Sequence, residues 1–229
     1  MKTLYTAIGK FECRTAESTS EYPVIMVSGK EYMMDPQELI LWNALSWRIL
    51  KRSEICHYYD DAIQRSEFHP SRSLEDCLNR LISRGLVISG SGDTEYDALY
   101  NMIAALNILP ATGSFLVKIM AFCKLSWKYG LSLKTARFIF RKDSRTETEG
   151  LVMALVNQTQ LSTAEVIKCV DRNIRDIPNE EAVMDMLYHD DDTTSDNICS
   201  LTKSAHRSKD VILAISNLYL RQQIIFERI

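Results

Sequence analysis

The sequence predicts an α+β fold, predominantly α, on three observations. Residues 1–34 consist of short apolar runs rich in aromatic and β-branched residues. From Asp35 onward the apolar residues recur at three- and four-residue steps, as on a helix face. The stretch Ser71–Gly92, SRSLEDCLNRLISRGLVISGSG, reads as a capped amphipathic helix that stops at a glycine and turns into a short apolar strand. At 229 residues, with 46% hydrophobic and 25% charged, the chain is long enough for two small domains with ordinary globular cores. These divide as 1–92 and 93–229.

In the first part LYTAIGKFEC and YPVIMV read as strands, and Ser28-Gly29 turns the chain before KEYMM, so Tyr22–Met34 is expected as a hairpin. Asp35 caps the first helix, with Pro36 at its first position, where the missing N–H costs little. Leu39, Trp42, Leu45 and Ile49 give that helix one buried face. Ser53 caps a second helix carrying Ile55, Tyr59, Ala62 and Ile63, and His69-Pro70 closes it. Ser73 and Asp76 stand at capping spacing for a third helix with Leu74, Cys77, Leu78, Leu81 and Ile82 inward. Gly85 is placed for a left-handed C-terminal cap before the strand Leu86-Val87-Ile88.

Residues 93–229 read as an all-helical domain. Thr94 with Asp97 starts a helix running to Leu109, and an apolar helix spans about 114–129. Ser132, Thr146 with Glu149, Ser162 with Glu165, and Asn179 begin four more. The polar segment His189–Lys209 is expected as a linker before a last helix from Ser208 to about Arg228. Leu131-Ser132 echoes Leu161-Ser162, an echo too short to establish a repeat.

Catalytic constellations are missing: there is no G-x-S-x-G elbow, phosphate-binding glycine loop, dinucleotide fingerprint or H-E-x-x-H. His57 lies beside Cys56, but helix neighbours do not face each other. The acidic run after His189 lacks the glycine and distal glutamate of a calcium loop. The expectation is a non-enzyme with no cofactor and no metal. Six scattered cysteines without a C-x-x-C pair point to reduced thiols. With no signal-peptide pattern and no long apolar run, the expected location is cytoplasmic, without a membrane span.

Charge gives two candidate nucleic-acid surfaces. On the outer face of the third helix Arg80 suits a guanine edge and Asn79 an adenine, with Arg84 one turn on. Glu75 and Asp76 share that face, and residues 1–95 carry 11 Lys and Arg against 14 Asp and Glu, a poor balance for phosphate binding. From Phe115 to Arg145, eight basic residues face one acid, with aromatic residues interleaved. Lys134, Arg137, Arg141 and Arg145 follow helical spacing, with Lys142 beside them, and WKYGLSLKTARFIFRK has a helix-turn-helix rhythm. The competing reading is a basic face that neutralises acidic helices such as NEEAVMDM.

With SLEDCLNRLISRGLVISG at its centre, Tyr22–Gly92 resembles winged-helix domains. The resemblance implies a winged-helix-like domain followed by the all-helical one, with duplex-DNA contacts at Asn79, Arg80 and Arg84. The departure is that a hairpin precedes the first helix, and TEYDALYNM continues as helix where a second wing strand belongs. The order hairpin, three helices, strand also resembles PqqD-type domains, which bind leader peptides of modified natural products. That resemblance implies a peptide added at the sheet edge beside the third helix, near Tyr32, Met33, Leu74 and Leu78. The leading expectation is a transcription regulator whose helical domain supplies homodimerisation or effector sensing. The alternative is a peptide- or protein-binding adaptor without DNA.

Overall fold

A computed structural model of the chain describes residues 1–15, 21–66, 69–111, 145–189 and 192–228. It opens with β1 (Lys2–Ala7), followed by an antiparallel meander of β2 (Lys10–Thr15), β3 (Glu21–Val27) and β4 (Lys30–Met33). Ser28 and Gly29 take φ of 49° and 74°, the twist that lets two residues reverse a hairpin. The expected hairpin is thus β3 on β4. Next come α1 (Pro36–Leu45), β5 (Leu50–Lys51), α2 (Arg52–Ser66), α3 (Leu74–Ser83) and β6 (Val87–Gly92). Asp35 and Glu38 exchange the two capping bonds of α1, and Ser73 caps α3. Gly85, at φ 69°, ends α3 as expected: its N–H donates to Ile82 O and Leu86 N–H to Leu81 O, both at 2.9 Å.

β1 is the middle strand of the antiparallel sheet β5–β1–β6, with Tyr5 opposite both Leu50 and Ser89. The strand beside β6 therefore comes from the beginning of the chain. Residues after β6 are free to form α4 (Glu95–Ile103), which lies so close that a Cβ on Gly90 would stand 2.3 Å from Ala98 O.

The second half is not all-helical. It contains β7 (Asn107–Pro110), α5 (Glu147–Val156), β8 (Leu161–Ser162), α6 (Thr163–Asp171), α7 (Glu180–Leu187), α8 (Ile198–Lys203), α9 (Ser208–Leu220) and β9 (Ile224–Glu227). β7 is the middle of a third sheet, β8–β7–β9. The helix expected to reach Leu109 stops at Ile103, and the last stops at Leu220, because NILP and IIFE run as strands. Each is a four-residue run with three apolar residues, too short to carry a readable period, so the sequence could not separate them from a helix end. The expected linker 189–209 also holds α8, which buries Ile198 and Thr202. The helices expected near 114–129 and after Ser132 lie outside the described residues.

The two halves repeat each other. The series β1, α1, β5, α2, α3, β6 corresponds in order and pairing to β7, α5, β8, α6, α9, β9. Ile108 sits opposite Leu161 and Phe226 as Tyr5 sits opposite Leu50 and Ser89. Glu38, Leu45 and Leu50 keep the spacing of Glu149, Val156 and Leu161, and Arg84, Val87 and Ser89 that of Arg221, Ile224 and Phe226. Even the helix ends agree. Gln222 stands at φ 58° where α3 has Gly85, and Gln223 N–H donates to Leu218 O at 2.9 Å.

One core runs through both halves, from Leu4 to Phe226. Its junction is Tyr219 of α9, which is 3% exposed. The Tyr219 hydroxyl accepts from Trp47 N–H at 3.0 Å and from Thr6 Oγ1 at 2.8 Å, and donates to Ala7 O at 2.9 Å. Its ring lies 5.4 Å from Trp47 and 4.8 Å from Phe226. Burial pushes its ionisation up to about 12, so the phenol stays a neutral donor.

Candidate functional site

The capping geometry of α1 decides what the candidate arginines do. A capping box needs an acid three residues into the helix, and here that acid, Glu38, also points under α3 with its side chain 2% exposed. A carboxylate removed from water requires compensation. Arg80 Nε donates to Glu38 Oε1 at 2.8 Å, and Arg84 Nη1 donates to Oε2 at 2.7 Å. Arg84 also donates through Nη2 to Met33 O, and its guanidinium lies 5.9 Å from the Tyr32 ring centre. Both arginines proposed to read DNA are thus held on a buried acid. Asn79 is exposed on the outer face.

The second half shows the same device. Glu149, in the capping box of α5 and 1% exposed, receives Arg221 at the end of α9. Because Arg84 and Arg221 occupy matching positions, the buried pair belongs to the construction of each unit. Sequence reasoning missed Glu38 and Glu149 as partners. The available signal was an acid at capping spacing inside an apolar run, with an arginine just before the helix-ending turn.

Lys134, Arg137, Arg141 and Lys142 lie outside the described residues. Arg145, at the end of that basic segment, donates through Nε to Gln223 Oε1 at 2.7 Å.

The residues assigned to peptide binding divide. β4 is an edge strand, paired only with β3 among the described residues. A two-residue turn makes Val27 and Lys30 a hydrogen-bonded pair, so alternation leaves the N–H and C=O of Glu31 and Met33 pointing away from β3. The Arg84 bond to Met33 O agrees with that alternation. Met33 is 69% exposed, while Tyr32 and Leu74 are half-buried against the core. Leu78 is 1% exposed and belongs to the core, because it faces inward from the middle of α3. It offers nothing to a peptide. The outward N–H groups belong to Glu31 and Met33, whereas Tyr32 spends its own on the β3 ladder.

Among the described residues the cysteines are free thiols, and no group of three His, Cys, Asp or Glu gathers in one place. Burial pushes Cys77 up to about 11 and Cys169 up to about 12, away from thiolate chemistry. No described helix is long and apolar enough to cross a membrane.

No protein-family model matches the chain, and neither a curated protein nor a solved structure is significantly similar to it.

Proposed function

We propose that the chain is a non-enzymatic binding module that captures an extended peptide along the outer edge of β4, through the outward N–H groups of Glu31 and Met33, beside the end of α3. The observation that carries this reading is the pairing of Arg80 and Arg84 with Glu38 beside an open strand edge. Arginines held on a buried acid are poor phosphate contacts, and an unpaired strand edge offers main-chain bonds to an incoming strand. Met33 supplies an exposed apolar side chain on that edge, and Arg84 braces its carbonyl from the helix side.

The test starts from peptides selected on the full chain out of a random ten-residue display library. Met33→Pro removes an outward N–H while leaving the β3 ladder intact, so it is expected to weaken selected peptides at least tenfold with little change in the urea midpoint. Unchanged affinity for Met33→Pro rejects the edge. Tyr32→Pro serves as a contrast, since it breaks a ladder bond and unsettles the hairpin itself.

A second reading, a winged-helix-like regulator of transcription, is favoured by the concentration of basic residues between Phe115 and Arg145. It expects binding to mixed-sequence duplex DNA that falls steeply between about 50 and 200 mM salt, as counterions are released. It also expects Arg137→Glu and Arg141→Glu to weaken every duplex, while Arg80→Ala leaves DNA affinity unchanged.

A further inference from the structure

A pocket of about 300 Å³ opens in the second repeat, between the start of α5 and the segments that lead out of α6 and into α9. Glu147, Thr148, Leu151 and Ala154 of α5 line one side, and Arg175 and Arg207 the other. That volume lies at the small end of ligand pockets. Arg72, Arg84 and Arg221 each reach a carboxylate. Neither Arg175 nor Arg207 forms an ion pair among the described residues. Arg175 is placed by its Nε, which donates to Asn173 Oδ1 at 3.3 Å. Arg207 is anchored by its main-chain N–H, which donates to Asp171 Oδ1 at 3.4 Å, so its guanidinium remains available.

The repeat supplies an internal comparison. In the first half Asp35 stands where the second has Thr146, and Gln37 where it has Thr148. Asp35 holds Arg72, which comes from the segment between α2 and α3. Gln37, 1% exposed, donates to Arg72 O at 2.8 Å and accepts from Arg72 N–H at 3.2 Å. An acid and a long amide thus close the start of α1 against its connecting segment. Two threonines are too short to do so at α5, and arginines from the connecting segment line the opening instead.

Two guanidiniums lining one small space call for a dianion, and their planar forks suit phosphate oxygens. A phosphate monoester is dianionic above its second ionisation at about 6, whereas a diester keeps one charge. Glu147, the acid of the lining, is exposed and pairs with neither arginine. Its carboxylate repels a bare anion but accepts from a hydroxyl group. We propose that this pocket binds a small phosphate monoester carrying hydroxyl groups, as a sugar phosphate does. The phosphate lies on Arg175 and Arg207, the hydroxyls donate to Glu147, and the carbon chain rests on Leu151 and Ala154.

The test is calorimetric titration of the full chain at about pH 8, where the monoester is dianionic, with ribose 5-phosphate, ribose, inorganic phosphate and dimethyl phosphate. The expected result is saturable binding of ribose 5-phosphate, weakened about tenfold by Arg175→Gln and by Arg207→Gln. Inorganic phosphate is expected to bind more weakly, and ribose and dimethyl phosphate not at all. Neither arginine contributes an ion pair to the fold, so both variants should keep the parent's urea midpoint. Failure of ribose 5-phosphate to saturate, or undiminished binding by either variant, overturns the proposal. Equal affinity for ribose, inorganic phosphate or dimethyl phosphate overturns it too.

Discussion

Glu38 and Glu149 show how one acid can serve a helix start and a tertiary contact together. The capping bonds are local, but the burial is not, and only the arginine arriving from a later helix makes the buried charge tolerable. Removing Arg221 takes the ion-pair partner from Glu149, whereas removing Arg84 leaves Glu38 with Arg80 alone. Arg221→Met is expected to cost about 3–5 kcal/mol in urea unfolding, and Arg84→Met, which leaves Arg80 on Glu38, about 1.5–3 kcal/mol, the loss of hydrogen bonds to a charged group. Arg80 is 53% exposed and leaves Arg84 in place, so Arg80→Met is expected to cost about 1 kcal/mol or less. Equal losses for Arg80 and Arg84 would contradict this assignment. The double change Glu38→Met with Arg84→Met should recover most of the loss, since an apolar pair carries no desolvation penalty.

Among elements, α3 and α9 end in the same left-handed turn with different residues. Gly85 accepts φ 69° without a Cβ penalty, whereas Gln222 adopts φ 58° against it. Gln222→Gly is therefore expected to stabilise the chain by about 0.5–1 kcal/mol, the relief of strain exceeding the added freedom of the unfolded chain. Gly85→Ala is expected to destabilise by about 1 kcal/mol. Urea midpoints of the two variants should move in opposite directions. A loss of stability on Gln222→Gly would mean that the side chain contributes more than the backbone strain costs.

For the whole molecule, the shared core at Tyr219 makes separate melting of the halves unfavourable. Tyr219→Ala removes a buried ring and three hydrogen bonds at the junction, and is expected to cost about 3–5 kcal/mol. Calorimetry should show one transition at lower temperature; two resolved transitions would argue that each half folds by itself. Alkaline pH probes the same core. Cys77 and Cys169 rise from the ordinary 9.0 to about 11 and about 12, and Tyr100 and Tyr219 from 10.0 to about 12. Between pH 9 and 12 the folded chain thus holds more protons than the unfolded one, so stability falls as pH rises through that window. Urea midpoints measured in reductant should be level below pH 9 and decline above it; a flat profile to pH 11 would show that these groups are accessible.

The sequence by itself determined most of the helix starts and the local turns; Ser53, expected to cap α2, lies inside that helix, which begins at Arg52. Asp35, Ser73, Thr94, Thr146, Ser162 and Asn179 cap helices at the positions their spacing indicates. Ser28-Gly29 and Gly85 turn the chain where the sequence places turns. A cap and its partner are three residues apart, so both are visible in one window of sequence. The strand identity of NILP and IIFE was not visible, because Asn107 pairs with Ser162 and Glu227 across the chain. Nor was the placement of β1 between β5 and β6, the inward pull on Arg80 and Arg84, or the repeat that relates the two halves. The candidate site was legible only as an edge strand with an exposed Met33; the fate of Leu78 and of the arginines depended on which face met the core. Those outcomes rest on burial and pairing between distant segments, which only the tertiary structure brings together.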